Sequence, residues 1–156
     1  MASIGYSSQT EGAVALTAAT GKTVIGVKAH TNSGLQLKSI EVAFDGVTGS
    51  AVPVLIEVLH CTWATNGPGT NSTSTTPKQA YGRVLTAGYT SAKNWTVEPT
   101  VLTVIKEFLL TPNAGLVAYQ WPLGQEPDCA LAEGFAIRCN APAAVNVRAT
   151  MSVERV

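Results

Sequence analysis

Two histidines and three cysteines are the residues of this chain best equipped for chemistry: His30, His60, Cys61, Cys129 and Cys139. A thiol beside an imidazole is the pairing from which nucleophilic catalysis is built, and such partners meet in space, not in sequence. His60 and Cys61 adjoin in an apolar, strand-like run, where neighbours point to opposite faces. A structural Cys61 is therefore expected. The same side chains are zinc-type donors, but no closely spaced ligand pair occurs among them. Cys129 and Cys139 could pair as a disulfide. Buried free thiols are expected instead, because a domain of this size needs no covalent staple. Glu126 and Asp128, near Gly124 and Pro127, could form a calcium or acid–base pair. Oxygen-ligand sites gather more carboxylates than this, so a solvated loop is expected. Phosphate-cradling glycine patterns are missing, and Gly67-Pro68-Gly69 is a turn. No catalytic residue, metal or cofactor is assigned, and the chain is not expected to be an enzyme.

Aromatic side chains offer a different chemistry. Trp63 and Tyr81 bracket TWATNGPGTNSTSTTPKQAYG, a stretch rich in Gly, Thr, Ser, Asn and Pro, and Tyr89 and Trp95 follow closely. Such rings could stack on sugars or anchor a protein interface, where Trp and Tyr are enriched. The competing expectation is that about half of them simply close the end of a sandwich. Two glycosylation sequons, Asn71-Ser72-Thr73 and Asn94-Trp95-Thr96, are read as chance in a chain so rich in Ser and Thr.

The elements that must position these residues are strands. Thr23, Ile25, Val27 and Ala29 alternate with Val24, Gly26, Lys28 and His30. After the turn signal Asn32-Ser33-Gly34, the run 35–44 alternates more cleanly over its first half, and Asp45-Gly46 marks a turn. In the run 52–63, Val54, Ile56, Val58 and His60 form one face, and Leu55, Glu57, Leu59 and Cys61 the other. Both faces are largely apolar, as for a strand inside a sandwich near an interface. Further strands are expected over 101–111, 116–121, 135–139 and 144–153. In the last, Val145, Val147, Ala149, Met151 and Val153 oppose Asn146, Arg148, Thr150, Ser152 and Glu154. No helical period survives. About eight strands predict an all-β fold, a single-domain antiparallel β-sandwich arranged as a jelly roll. Residues 1–12 are expected to be a flexible arm and 13–156 the sandwich, with a long loop at about 64–80. A loop of that length is usually functional or disordered.

Composition narrows the partners. The chain has 156 residues, enough to bury roughly two-thirds of its unfolded surface. Apolar residues make up 46% and charged residues 13%, with ten Lys and Arg against ten Asp and Glu. Zero net charge removes the repulsion that keeps free proteins apart, which suits a subunit packed among neighbours. It also argues against nucleic acid, since phosphate binding needs a basic stripe. No apolar run reaches the length of a membrane span, so no membrane partner is expected. The start MASIGYSSQTEG has neither the charged nor the apolar region of a signal peptide, so synthesis in a cytoplasm is expected.

The runs EPTVLTVIKEFLLTP, YQWPLGQE and EGFAIRCNAPAAVNVRATMSVE resemble the C-terminal half of small structural proteins of tailed bacteriophages, the head decoration or cement proteins and kindred virion components. The likeness covers residues 98–154, and its motifs are structural. It implies a jelly-roll-like sandwich on the capsid surface of a virion, made in the bacterial host cytoplasm. It also implies the major capsid protein as partner and a homo-oligomer, with a trimer favoured. The contact residues expected on this basis are Trp63, Tyr81, Tyr89 and Trp95, with Ile4 and Tyr6 of the arm. The alternative is a carbohydrate- or receptor-binding module of a virion or tail component that uses the same aromatic end.

Overall fold

Thirteen strands follow one another along the chain in a computed structural model that describes residues 4–47 and 52–156. They are β1 (Gly5–Gln9), β2 (Val14–Leu16), β3 (Gly21–Lys28), β4 (Leu35–Phe44), β5 (Val54–Cys61), β6 (Thr73–Thr75) and β7 (Lys78–Tyr81). The second half supplies β8 (Thr90–Lys93), β9 (Leu102–Leu110), β10 (Leu116–Gln120), β11 (Asp128–Cys129), β12 (Gly134–Asn140) and β13 (Val145–Arg155). No helix occurs among the described residues. Two antiparallel sheets pack face to face as a β-sandwich. One runs β10-β4-β13-β1-β7, with β11 added to β4 and β2 to β13. The other runs β6-β8-β3-β12-β5-β9.

Period-two alternation decides what lies between them. Leu35, Leu37, Ile40, Val42 and Phe44 of β4 and Val147, Ala149, Met151 and Val153 of β13 face inward. They meet Val54, Ile56 and Val58 of β5 and Phe135, Ile137 and Cys139 of β12. The polar positions of β13, from Asn146 to Glu154, lie on the solvent side as the alternation requires. Where β4 departs from strict alternation, the β13 ladder shifts register between Ser152 and Val153. Lys38 and Ser39 then both stay out of the core, while Leu37 and Ile40 both stay in it.

Within the expected arm of residues 1–12, Gly5–Gln9 form a strand, and residues 1–3 lie outside the described residues. β1 lies between β13 and β7, and Tyr6 is 1% exposed. Its ring meets Tyr89 edge-on with centroids 5.8 Å apart, and its hydroxyl donates to the carbonyl of Thr86 at 3.3 Å. Ser8 is also buried, with its Oγ 2.9 Å from the Tyr89 hydroxyl. Small polar residues disguised this strand. Gly5, Ser7 and Ser8 carry little hydropathy, yet a buried hydroxyl with a partner costs little. The long loop also needs correction, because it contains β6 and β7. These end the two sheets on the same side, and the segment crosses from one sheet to the other there.

If β1 is integral, Tyr6→Ala will cost about 3–5 kcal/mol, the usual range for emptying an aromatic core site. Urea unfolding measures this. A change within about 0.5 kcal/mol is what a loose arm would give.

Candidate functional site

The residues equipped for catalysis do not converge. His60 sits at one end of β5 on the inward side, edge-on to Phe135, with Nε2 3.1 Å from Glu133 Oε2. His30 is exposed, and its Nδ1 accepts the Asn32 amide at 3.2 Å. Cys61 faces away from His60, among the apolar side chains on the other side of the sheet. All three cysteines are free and buried. Burial pushes the Cys129 thiol up to about 11 and raises Cys61 and Cys139 further. The thiolate is the nucleophile, so none of them is activated near neutral pH. Among the described residues, no three or more His, Cys, Asp or Glu side chains are placed to hold a metal ion.

Glu126 and Asp128 do not act as a pair either. Glu126 accepts Lys38 Nζ, and its Oε2 accepts the Gly124 amide at 2.6 Å. Lys38 also lies 3.7 Å from Glu154, whose other oxygen accepts the Tyr81 hydroxyl. The Lys38 contact holds the Glu126 carboxyl below its ordinary range, and Glu126 in turn raises Lys38. This network ties β4, β13, β7 and the segment before β11 together on the outer face of one sheet.

The aromatic residues expected to be contact anchors are mostly inside the chain's own fold. Trp63, Tyr89, Trp95 and Tyr6 are buried. Ile4 is half-buried against the main core, and Tyr81 alone is substantially open, at 47%. Trp63 and Trp95 stack with centroids 5.8 Å apart and planes 15° apart. Each indole N–H is satisfied: Trp63 donates to Val27 O at 3.1 Å and Trp95 to Asn66 O at 2.7 Å. The reason lies in the sheet beneath them. Ala92, Gly26, Ala136 and Leu59 stand opposite one another across β8, β3, β12 and β5. Three small residues in a row leave a trough on the outer face, and the two indoles fill it. A β-carbon at Gly26 would lie 2.7 Å from the Trp63 ring and 3.0 Å from Trp95. The result is a second apolar cluster, so this part of the six-stranded sheet is buried on both faces. The signal was present in β3 and β12, where Gly26 and Ala136 stand out as small residues among large ones. A flat sugar platform of Trp63 and Trp95 is corrected accordingly.

What remains open is the other side of the sandwich. β9 pairs only with β5, and β10 only with β4, so two strand edges are free there among the described residues. Val104, Ile105 and Leu109 of β9 are exposed, as are Val101 just before it and Leu116 of β10. Between the edges, Phe108, Tyr119 and Trp121 form a half-buried row with successive centroids 5.6 and 5.0 Å apart. Lys106 lies over Tyr119, 4.4 Å from its centroid. The rings are tilted or perpendicular to one another, and Lys106 covers one face of Tyr119. They seal the core while leaving apolar rims. Sequence reasoning found β9 as a strand but did not mark it as the exposed one, because edge position is a property of pairing.

Comparison with protein-family models, with curated proteins and with solved structures finds no match to this chain. What the fold defines is a class, the antiparallel β-sandwich.

Two outcomes test this geometry. Gly26→Val should destabilise the fold by about 1–3 kcal/mol through overpacking, with a shift in tryptophan fluorescence. For the Lys38 network, a carboxyl lowered in the folded state adds stability above its ordinary value of 4.5. That stability is lost as pH falls through the lowered value. Acid unfolding followed by circular dichroism should thus be less steep below about pH 4.5 in Lys38→Met than in the parent chain.

Proposed function

We propose that this chain is a non-enzymatic capsid decoration protein that binds and stabilises an assembled bacteriophage head through protein–protein contacts. The observation that carries this is the open side of the sandwich. There Val104, Ile105, Leu109 and Leu116 face solvent beside two free strand edges, on a chain of zero net charge. Exposed apolar residues concentrated at one place mark an interface more often than a solvated surface. A shell protein works by binding the assembled state in preference to free subunits, which needs complementary area and no nucleophile.

The strand order supports the same reading. Among the long strands, the first lies beside the last, and β1-β13-β4-β10 faces β3-β12-β5-β9. We infer from this order the jelly-roll arrangement, which recurs in capsid domains. The sequence likeness over residues 98–154 adds to it. In this proposal the partner is the major capsid protein, the protein sits on the virion surface, and copies of it group as a homo-oligomer, with a trimer favoured.

Gradient sedimentation of the protein from its own source tests this. It should migrate with very large particles and return to the top of the gradient when they are dissociated. Replacing Val104 and Leu109 by Lys together should lower particle occupancy at least about tenfold, while thermal stability stays within about 0.5 kcal/mol of the parent. A free oligomer in the presence of intact particles would refute the assignment.

A further inference from the structure

β9 carries a carboxylate that no cation of its own fold pairs among the described residues. On the outer face of the six-stranded sheet, Glu107, Glu57, Arg138 and Thr23 stand opposite one another across β9, β5, β12 and β3. Arg138 Nε donates to Glu57 Oε2 at 2.6 Å. Thr23 donates to Glu98 at 2.7 Å from its amide and 2.6 Å from its hydroxyl. Glu107 comes last in the row, exposed, and has no cation among the described residues. Like charges directly opposite on adjacent strands are destabilising. Glu107 nonetheless sits between apolar Leu109 and Val104, which occupy the next outward positions on either side.

We propose that β9 is a docking edge for an extended segment of a different protein, which adds a strand beside it and places a Lys or Arg opposite Glu107. Apolar residues of that segment, spaced two positions to either side of the cation, would cover Leu109 and Val104. The inference rests on the proposal that this chain works through the open side of its sandwich, and it names the chemistry of the partner there. The free backbone edge supplies the hydrogen bonds of strand addition, and alternate side chains supply the specificity.

The charge of β9 disfavours its pairing with the β9 of a second copy. Two β9 edges can pair in a closed dimer about a two-fold axis normal to the sheet, antiparallel, with opposed residues on the same face. The outward residues of β9 are Leu102, Val104, Glu107 and Leu109, while Lys106 points inward over Tyr119. Whatever the register, Glu107 would face another Glu107 or an aliphatic side chain. Its charge therefore disfavours self-pairing and selects a basic partner, one element serving both ends.

Fluorescein-labelled peptides test this on the full chain. One has the sequence acetyl-Ser-Thr-Val-Thr-Arg-Thr-Val-Thr-Ser-amide, and the other has Glu in place of Arg. By fluorescence anisotropy at low salt, the Arg peptide should bind roughly three- to tenfold more tightly. Glu107→Lys, at an exposed position where folding is not at risk, should reverse the preference. Amide exchange should show protection along 103–109. Equal affinity for both peptides, no binding of either, protection elsewhere, or an oligomer held by β9 against β9 would each overturn the proposal. Sedimentation with particles is a separate readout, so the peptide result can fail while the decoration assignment stands, and the reverse.

Discussion

A sheet with two apolar faces can give only one of them to a partner sheet. That constraint shapes this protein more than any other. The six-stranded sheet places Val54, Ile56, Val58, Phe135 and Ile137 against the seven-stranded sheet, and this accounts for its inner face. Its outer face still carries Leu59, Cys61, Ala92, Ala136 and Leu102. Water would have to cover them if the chain did not. Residues 62–72 and 94–101 fold back and lay Trp63 and Trp95 over this face, with both indole nitrogens hydrogen-bonded to backbone carbonyls. Stacked aromatics bury a large area at little cost in side-chain freedom, which makes two rings an efficient cover.

The cover stops short of the sheet's edge. It extends across β8, β3, β12 and part of β5, reaching β9 only at Leu102. Beyond that, the same outer face continues as Val104 and Leu109, both exposed. The exposed rim is thus the unfinished part of the surface that the tryptophans finish elsewhere. On the opposite side β6 and β7 end the two sheets with short strands, the common way to blunt an edge. β9 is long by comparison and keeps only a register shift and its charged residues as protection.

Joining the two ends of the chain is a second consequence of the sandwich order. β1 pairs with β13, so the first described strand lies beside the last, and Tyr6 becomes a core residue. A segment of small polar residues would not hold that place by hydrophobicity alone. It is held by the ladder to β13 on one side and β7 on the other, with Tyr89 and the carbonyl of Thr86 completing the hydrogen bonds. Tyr89 itself is pushed up to about 12 by burial, which keeps its hydroxyl neutral and available to Ser8.

Much of this was legible beforehand, where one face of a strand differs from the other. The faces of β5 and β13 follow from alternation, because a pleated strand sends neighbours to opposite sides, whereas in β4 the alternation breaks at Lys38-Ser39, where both side chains stay out of the core. The all-β class followed from the same pattern. Hidden from it were β1, whose hydropathy is low, and the short strands β6, β7 and β8, which pair without any periodic signature of their own. The roles of the tryptophans were hidden for another reason. Trp63 leads into a polar, glycine-containing stretch and Trp95 lies in a polar one, and both resemble surface loops. Only the trough formed by Ala92, Gly26 and Ala136, residues far apart in the chain, makes these loops a lid on the sheet. By itself the amino-acid order determined which side chains share a strand face, since that depends on local backbone geometry. Tertiary pairing decided which strand is an edge, which aromatic is buried and which glutamate faces another, because each depends on what a distant segment places alongside.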